Sequence, residues 1–381
     1  MQSYLANGQH DVYVAGLGSF LPGDPVRFTE IENVLGKLTE APPKILSWIE
    51  RMRPIMEEML GIETCHYALD PVTREPTEDN VTMSVKAAEK AMAMAGITKD
   101  DIDLIVYAGV VMENICPPTT VLIQEAMGIP QVAEYAIHSN CTSIYKAIQL
   151  AADQIALGRY ETALIMTSQL SSPMLRAEHY NQQVLTKPQV LLRWFLTDGA
   201  GAIVLTRNPR LGQKRMRVIE TYTESIGLGE GPDMYCPIGG HRINMLEAYE
   251  KGWHHLTQNF DRVARLALDL GKRAGDRMVD RLGMDWTSIR YFFMNVPTKH
   301  IADQMLTDMR RDKNLPNLEF YTKLSEHGYP GPCAIIHGLD GFLQERTPQK
   351  GDIMFSVVAE SSKWMYAGFV FEYLGPPSEV G

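Results

Sequence analysis

The sequence predicts an α/β protein made of two similar halves. Apolar, strand-like segments alternate with amphipathic helical segments along the 381 residues, a pattern typical of α/β architecture. The order of these segments before residue 210 partly recurs after it, and the inference of two halves rests on this order rather than on sequence identity. We therefore expect an N-terminal half over residues 1–210 and a C-terminal half over residues 211–381.

The first half is predicted to contain five strands and two long helices. The segments are residues 12–18, a strand that ends in glycines; 81–95, an alanine-rich helix closed by Gly96; 102–108, an apolar strand; 136–152, a short strand that turns into a helix at a cysteine; 162–167, an apolar strand; and 199–205, a strand of small residues.

The second half follows a connector at residues 207–214 that is rich in basic residues and glycine. Its predicted segments are a strand at 216–224, a long helical pattern at 246–281, a strand at 289–295, a helix at 298–310, a helix at 332–342, and strands at 353–359 and 366–373.

Cys141 is the main candidate for chemistry. The thiol lies at the turn between a strand and a helix whose apolar residues fall at 144, 147, 148, 151 and 152. A cysteine at a helix N-terminus is close to unpaired N–H groups and to the positive end of the helix dipole. We expect both to lower the pKa of Cys141 and favour the nucleophilic thiolate. The alternative is a small buried hydrophobe, as most free cysteines are.

Composition limits the functional class. The net charge of −10 argues against non-specific nucleic-acid binding, which needs a positive surface. The five cysteines are scattered and have no CxxC spacing, so we expect no disulfide framework, no metal site and a cytoplasmic location. No apolar run reaches about 18 residues, so no membrane span is expected.

Four segments together resemble the thiolase-fold condensing enzymes, specifically the β-ketoacyl-[acyl carrier protein] synthase III-like group. They are residues 14–22, similar to the family's G-x-G-x-x-L-P turn; 101–106, similar to a family strand; 140–164, similar to the nucleophile turn and its helix; and 197–202, similar to G-D-G-A-G-A. The resemblance covers nearly the whole chain.

The resemblance implies a duplicated, five-layered α-β-α-β-α fold, usually found as a homodimer with active sites near the interface. It also implies that Cys141 accepts an acyl group from an acyl carrier protein or coenzyme A. No permanently bound cofactor is implied, because acyl-coenzyme A or acyl-phosphopantetheine is the substrate.

The chain departs from the family at its other two catalytic positions. The family's histidine position falls on Asn295, and its asparagine position falls on Tyr329. An amide and a phenol can each donate a hydrogen bond to an oxyanion, and we expect Asn295 to do so with the backbone N–H of Cys141. Neither side chain titrates near pH 7 as a general base. We therefore expect acyl transfer without the decarboxylation that the family's histidine and asparagine assist.

A transfer without decarboxylation needs another base, and three residues are candidates. Glu360 replaces a glycine of the family's closing loop, and burial would raise its pKa to a useful value; alternatively it pairs with Lys363 at the surface. His327 is two residues before Tyr329 and is a candidate for contact with substrate, or is a turn residue. His138 is more typical of a hydrogen-bonded core residue.

Trp48, Arg51 and Arg53 resemble the segment with which the family stacks the coenzyme A adenine and pairs its phosphates. Arginine suits planar recognition of phosphate; the alternative is a helix with a solvated basic face. A second basic helical face is a candidate for docking an acidic carrier protein, or is simply solvated. It consists of Arg262, Arg265, Lys272, Arg273 and Arg277. We assign no role to the adjacent pair His254 and His255.

The leading hypothesis is an acyltransferase that works through an acyl-thioester on Cys141. A second hypothesis is a β-ketoacyl synthase that forms a carbon–carbon bond with an already acidic carbon or a malonyl unit. A third is a catalytically weakened subunit that supports a partner synthase in a hetero-oligomer.

Overall fold

Ten strands form one continuous sheet that consists of two five-stranded units. The protein is seen in a computed structural model that describes residues 10–239 and 243–377. The strands are β1 Tyr13–Phe20, β2 Val26–Arg27, β3 Thr64–Cys65, β4 Leu104–Gly109, β5 Ala133–His138, β6 Thr162–Gln169, β7 Gly199–Thr206, β8 Arg215–Ser225, β9 Met234–Tyr235, β10 Thr257–Gln258, β11 Ile289–Met294, β12 Glu319–Tyr321, β13 Ile353–Glu360 and β14 Met365–Gly375.

The helices pack on both faces of these units. They are α1 Ile31–Leu35, α2 Pro43–Leu60, α3 Asn80–Ala95, α4 Thr119–Ala126, α5 Ser143–Ala156, α6 Ser172–Leu175, α7 Ala177–Tyr180, α8 Lys187–Phe195, α9 Met245–Glu250, α10 Phe260–Leu282, α11 Lys299–Asp312, α12 Leu324–His327 and α13 Ala334–Glu345.

The two units have the same topology. The first has the order β5-β4-β6-β7-β1 and the second β12-β11-β13-β14-β8. In each unit the second strand is parallel to both of its neighbours and the remaining pairs are antiparallel. The units join where β1 pairs with β8. This repetition agrees with the predicted duplication. The division at residue 210 falls between β7 and β8 and remains our proposal.

The layers follow from the helix contacts. Helices α5 and α13 lie between the two units, because α5 contacts β4 and β6 as well as β8 and β14, and α13 contacts β1, β7 and β11. Helices α3 and α4 cover the outer face of the first unit, and α10 covers that of the second. The predicted five-layered α/β fold is therefore confirmed, and the five apolar positions predicted for α5 are all fully buried.

The glycines near the start of the chain do not end a strand, as the sequence predicted, but lie inside β1. A Cβ on Gly16 would lie 2.0 Å from the backbone oxygen of Ala91 in α3, and one on Gly18 would lie 2.2 Å from that of Ala87. Helix α3 therefore packs directly on the backbone of β1, which requires glycine there.

The helical pattern predicted at residues 246–281 is two helices rather than one. Gly252 has φ +68°, a left-handed conformation that ends the first segment after α9. The side chain of Asn259 accepts a hydrogen bond from the Arg262 N–H and caps α10. Among the described helices, none combines the length and the hydropathy that a bilayer crossing requires.

Candidate active site

The four predicted catalytic side chains line one cavity of about 1020 Å³. Cys141 lies in the turn between β5 and α5, Asn295 directly follows β11, Tyr329 lies just beyond α12, and Glu360 is the last residue of β13. Each therefore comes from the end of a different strand or helix, and the fold brings them together.

The carboxylate of Glu360 holds the turn that carries the thiol. It accepts hydrogen bonds from the Thr142 N–H at 2.9 Å and from the Thr142 hydroxyl at 2.5 Å. The Ser139 hydroxyl donates to it at 3.0 Å, and the Ser362 hydroxyl also donates. These bonds tie the start of α5 to the end of β13.

Glu360 was expected to have a raised pKa, and this was wrong. Burial does raise its pKa, but hydrogen bonds from Ser362 and Thr142 and the charge of Lys146 outweigh burial, and the pKa is lowered. The side chain is only 1% exposed. Lys363 does not pair with Glu360, as the alternative expected, because its ammonium group donates to the Glu230 carbonyl. Glu360 is therefore an ionised, fully engaged carboxylate and a weak base.

The thiol of Cys141 is protonated at rest, contrary to the expectation of a lowered pKa. Burial, and next the negative charge of Glu360, raise the pKa of Cys141 to about 12, although a hydrogen bond with Tyr329 acts in the opposite direction. The backbone N–H of Cys141 also lowers this pKa, but the Thr142 N–H at the start of α5 already donates to Glu360 and is not available to the thiolate.

Tyr329 is the nearest polar partner of the thiol. Its Oη lies 3.2 Å from Cys141 Sγ, and the side chain is 4% exposed. Burial raises the pKa of Tyr329 well above 10, and the adjacent Cys141 raises it further. The phenol therefore stays protonated and serves as a hydrogen-bond donor.

Asn295 is a buried amide without a partner among the described residues. It is 5% exposed, and neither Oδ1 nor Nδ2 makes a hydrogen bond. An unsatisfied buried polar group costs about 1–3 kcal/mol, so such groups in native proteins usually have a ligand or a role. Because Asn295 lines the cavity, its donor and its acceptor are both available to a bound molecule.

The histidines are placed differently from expectation. His327 does not line this cavity; its Nδ1 lies 3.2 Å from Nδ1 of His337, and burial lowers its pKa to about 3. His138 lines the cavity as an exposed residue rather than a core one. His254 and His255, to which the sequence assigned no role, also line it, and burial lowers the pKa of His255 to about 3. Nothing in the sequence around this adjacent pair of histidines indicated that they line the cavity.

The predicted coenzyme A segment lies on α2, outside the cavity lining. The ring of Trp48 stacks on Trp194 with centroids 5.5 Å apart, so one of its faces is already covered. Arg53 pairs with Glu32 at 2.7 Å, and Arg51 Nε donates to the Ser47 carbonyl. These three side chains therefore contact other parts of the protein, and they do not line the cavity that contains the other predicted site residues.

The basic face predicted on α10 is largely neutralised. Four of its five side chains form ion pairs with acidic residues, namely Arg262 with Glu230 and Asp233, Lys272 with Asp308, Arg273 with Asp269, and Arg277 with Glu224. This reduces its attraction for an acidic carrier protein.

Sequence reasoning missed the cavity wall formed by α10 and α11. Val263, Ala267 and Gly271 line it from α10, and Ile301 and Met305 from α11. Their spacing of four residues was visible, but it does not distinguish a cavity wall from ordinary helix packing. Within residues 10–239 and 243–377, no three His, Cys, Asp or Glu side chains are grouped as metal ligands.

Comparison with known proteins finds similarity over almost the whole chain. The family described as 3-oxoacyl-[acyl-carrier-protein (ACP)] synthase III matches residues 135–227. A β-ketoacyl-[acyl-carrier-protein] synthase III from Clostridium perfringens is 32% identical over 324 residues, which is 83% of this chain and 91% of the relative.

Solved structures share the fold. The tetronic acid condensing enzyme AbyA1 superposes with a TM-score of 0.77 and 20% identity, covering 95% of this chain and 99% of that chain. The 3-oxoacyl-[acyl-carrier-protein] synthase III from Aquifex aeolicus has a TM-score of 0.72 and 15% identity, covering 95% of this chain and 100% of that chain.

Proposed function

This chain belongs to the β-ketoacyl-[acyl-carrier-protein] synthase III family, and on that premise we propose that it forms an acyl-thioester on Cys141. The donor is an acyl carrier protein or coenzyme A thioester. The acyl group then passes to a second substrate without the decarboxylation that the family's histidine and asparagine assist.

One observation carries the proposal: Cys141 and Asn295 line the same cavity, and the Asn295 amide, at the position where the family has a histidine, has no hydrogen-bond partner among the described residues. Nδ2 of Asn295 is free to donate to the oxyanion of a tetrahedral intermediate. The side-chain amide does not titrate near pH 7 and cannot act as a general base. It therefore supports acyl transfer better than a reaction that needs a base.

The proposed steps need no separate general base, because each proton that is released is taken up by a reacting sulfur atom. In the first, a bond forms between Cys141 Sγ and the acyl carbon while the donor's C–S bond breaks, and the thiol proton ends on the departing thiol. In the second, the acceptor attacks the acyl carbon, the Sγ–C bond breaks, and the acceptor's proton returns to Sγ. The Tyr329 hydroxyl, 3.2 Å from Sγ, is placed to donate to the thiolate as it forms.

In this proposal Glu360 is a positioning residue. Its lowered pKa and its hydrogen bonds to Thr142 and Ser139 suit it to hold the turn rather than to accept a proton. Trp48, Arg51, Arg53 and His327 are not included in the proposed site.

The test is intact-protein mass spectrometry after incubation with acyl carrier protein and coenzyme A thioesters. We expect an acyl adduct on the wild type and none on Cys141→Ala. Cys236→Ala is the matched control, because Cys236 lines the same cavity, and it should keep the adduct. An adduct on Cys141→Ala would contradict the proposal. Absence of any adduct would favour the weakened partner subunit.

A carbon–carbon bond-forming synthase is the second candidate. It is favoured by the cavity of about 1020 Å³, which is roomy enough for two substrates, and by Asn295, whose donor and acceptor have no partner in the part of the chain that the structure describes. AbyA1 is named as a condensing enzyme. Carbon dioxide release from a carboxyl-labelled malonyl thioester, together with the bond formed in the product, separates the candidates. Our proposal expects no release above the Cys141→Ala background.

We also propose a cytoplasmic homodimer that needs no permanently bound cofactor. All five cysteines are free, which suits a reducing compartment. The family premise supports the dimer.

A further inference from the structure

Three histidine rings lie together next to the turn that carries Tyr329. His66 follows β3, His327 is the last residue of α12, and His337 lies in α13. The ring centroids of His327 and His337 are 5.2 Å apart, and those of His327 and His66 are 6.4 Å apart. His66 and His337 are buried, whereas His327 is half-buried. The cluster therefore joins three segments that are distant in the sequence.

The hydrogen bonds of His327 and His337 leave one place for an added proton on this pair. The Ala200 carbonyl accepts from Nε2 of His337 at 2.8 Å, so Nδ1 of neutral His337 is an acceptor. Nδ1 of His327, 3.2 Å away, donates to it. A further proton therefore goes to Nε2 of His327, which makes no hydrogen bond with any residue that the structure describes.

An added proton would create a poorly solvated cation. Burial, and next the two neighbouring histidines and Lys323, lower the pKa of His327 to about 3. Burial lowers the pKa of His337 to about 4 and also lowers the pKa of His66. The charges that face the three rings are Lys323 toward His327, Asp24 toward His66, and Asp340 and Lys90 toward His337. The two carboxylates favour protonation, but burial outweighs them, so all three rings are neutral at pH 7.

The cluster adjoins the segment that places Tyr329 against Cys141. His327 is two residues before Tyr329, and its carbonyl accepts from the Thr197 hydroxyl at 3.1 Å. Between them, Gly328 has φ +64°, and a Cβ there would lie 2.3 Å from Cγ2 of Thr197. This turn is short and packs tightly on Thr197, so a displacement of His327 also displaces Tyr329.

We propose that His66, His327 and His337 form an acid-sensitive latch, which holds Tyr329 against Cys141 while the rings are neutral and releases the 324–330 turn when His327 takes up a proton. Each ring has a lower pKa in the folded protein than the value of about 6.5 in an unfolded chain. Its stabilising effect is therefore complete above about pH 6.5 and is lost as the pH falls. Because His327 is half-buried at the end of a four-residue helix, it can reach solvent without unfolding the sheet.

The first test is urea denaturation at pH 7 and pH 5. The folding equilibrium constant of the wild type should fall about tenfold more over this range than that of His327→Gln, because the unfolded chain gains a proton that the latched ring excludes. His300→Gln, exposed on α11, is the control and should match the wild type. The comparison uses the change with pH, so it holds even if His327→Gln is less stable at pH 7. Equal losses in His327→Gln and the wild type would overturn the proposal.

The second test asks whether the turn opens by itself. The N–H groups of His327, Gly328 and Tyr329 donate to backbone carbonyls, so hydrogen–deuterium exchange can follow them. After correction for the intrinsic effect of pH, the 324–330 peptide of the wild type should lose protection at pH 5 while β7 keeps its own. The same peptide of His327→Gln should stay protected. An unchanged wild-type turn, or loss of protection over the whole chain at once, would contradict the latch. Neither test uses an acyl donor, so the latch and the proposed acyl transfer can fail separately.

Discussion

Cys141 reacts from a protonated resting state. Burial and the charge of Glu360 raise the pKa of its thiol to about 12. A half-buried thiol with a raised pKa resists oxidation and adventitious alkylation, because the thiolate is the reactive form. The thiol becomes a nucleophile when a bound donor supplies hydrogen bonds and a leaving group that takes the proton.

This resting state has a testable pH dependence. The thiolate fraction rises about tenfold per pH unit below the pKa, so alkylation of Cys141 by iodoacetamide should keep rising from about pH 6 to about pH 10 without a plateau. The Cys141-containing peptide is quantified by mass spectrometry. Glu360→Gln removes a charge that raises this pKa, so it should accelerate alkylation at a fixed pH. A plateau below about pH 9 in the wild type would show that the pKa is not raised.

Asn295 is expected to lower the stability of the fold while assisting acylation of Cys141. Its buried amide has no hydrogen-bond partner within residues 10–239 and 243–377, so replacing it by leucine, of similar shape, removes an unsatisfied group. We expect Asn295→Leu to be neutral or to raise the free energy of unfolding by about 1 kcal/mol, measured by urea denaturation. The same variant should lower the rate of Cys141 acylation at least about tenfold, as loss of an oxyanion donor does. Lower stability together with unchanged acylation would contradict the role of Asn295.

At the scale of elements, close helix packing depends on glycines in β1. Helix α3 contacts the backbone of the strand at Gly16 and Gly18, where a Cβ would overlap a backbone oxygen. Because the obstructing atom belongs to the backbone, no side-chain rotation can relieve the overlap, and the helix must shift.

We therefore expect Gly16→Ala to lower the free energy of unfolding by about 2 kcal/mol or more. Gly231→Ala is the matched control, because a Cβ there has no atom within 4 Å, and it should change stability by less than about 0.5 kcal/mol. Urea denaturation of both variants gives the comparison. Equal effects would mean that the packing of α3 on β1 is looser than the structure shows.

At the scale of the whole molecule, β5 is the outer strand of the first unit and leads directly to Cys141. The N–H groups of Ala133 and Ser139 donate to β4 and its flanking residues, at Asp103 O and Gly109 O. Alternation then directs the N–H of Ala136 away from the sheet. Tyr135, Ala136 and His138 are exposed, so this edge is open to pairing with a second copy.

We predict a dimer of the 42.8 kDa chain by size exclusion with light scattering. Ala136→Pro removes an N–H on the open edge without breaking the pairing with β4, so it should shift the mass toward the monomer. Ala136→Ser keeps that N–H and should remain dimeric. A wild type that is monomeric at all concentrations, or an Ala136→Pro variant that stays dimeric, would argue against this interface.

The sequence by itself predicted nine of the ten strands of the large sheet, all but β12, together with helices α3, α5, α11 and α13 and the buried face of α5. These features depend on local periodicity, which residues close in the chain determine. It also identified Cys141, Asn295, Tyr329 and Glu360 as one group through resemblance to a family, and the structure brings these four together.

Only the tertiary structure decided the electrostatics of the site and the shape of the cavity. The bonds from Thr142 to Glu360 join residues 218 apart, and the contact of Cys141 with Tyr329 joins residues 188 apart. The lowered pKa of Glu360, the raised pKa of Cys141 and the space between α10 and α11 all follow from such distant contacts. Periodicity and local motifs carry no information about them, because they report only on neighbours along the chain.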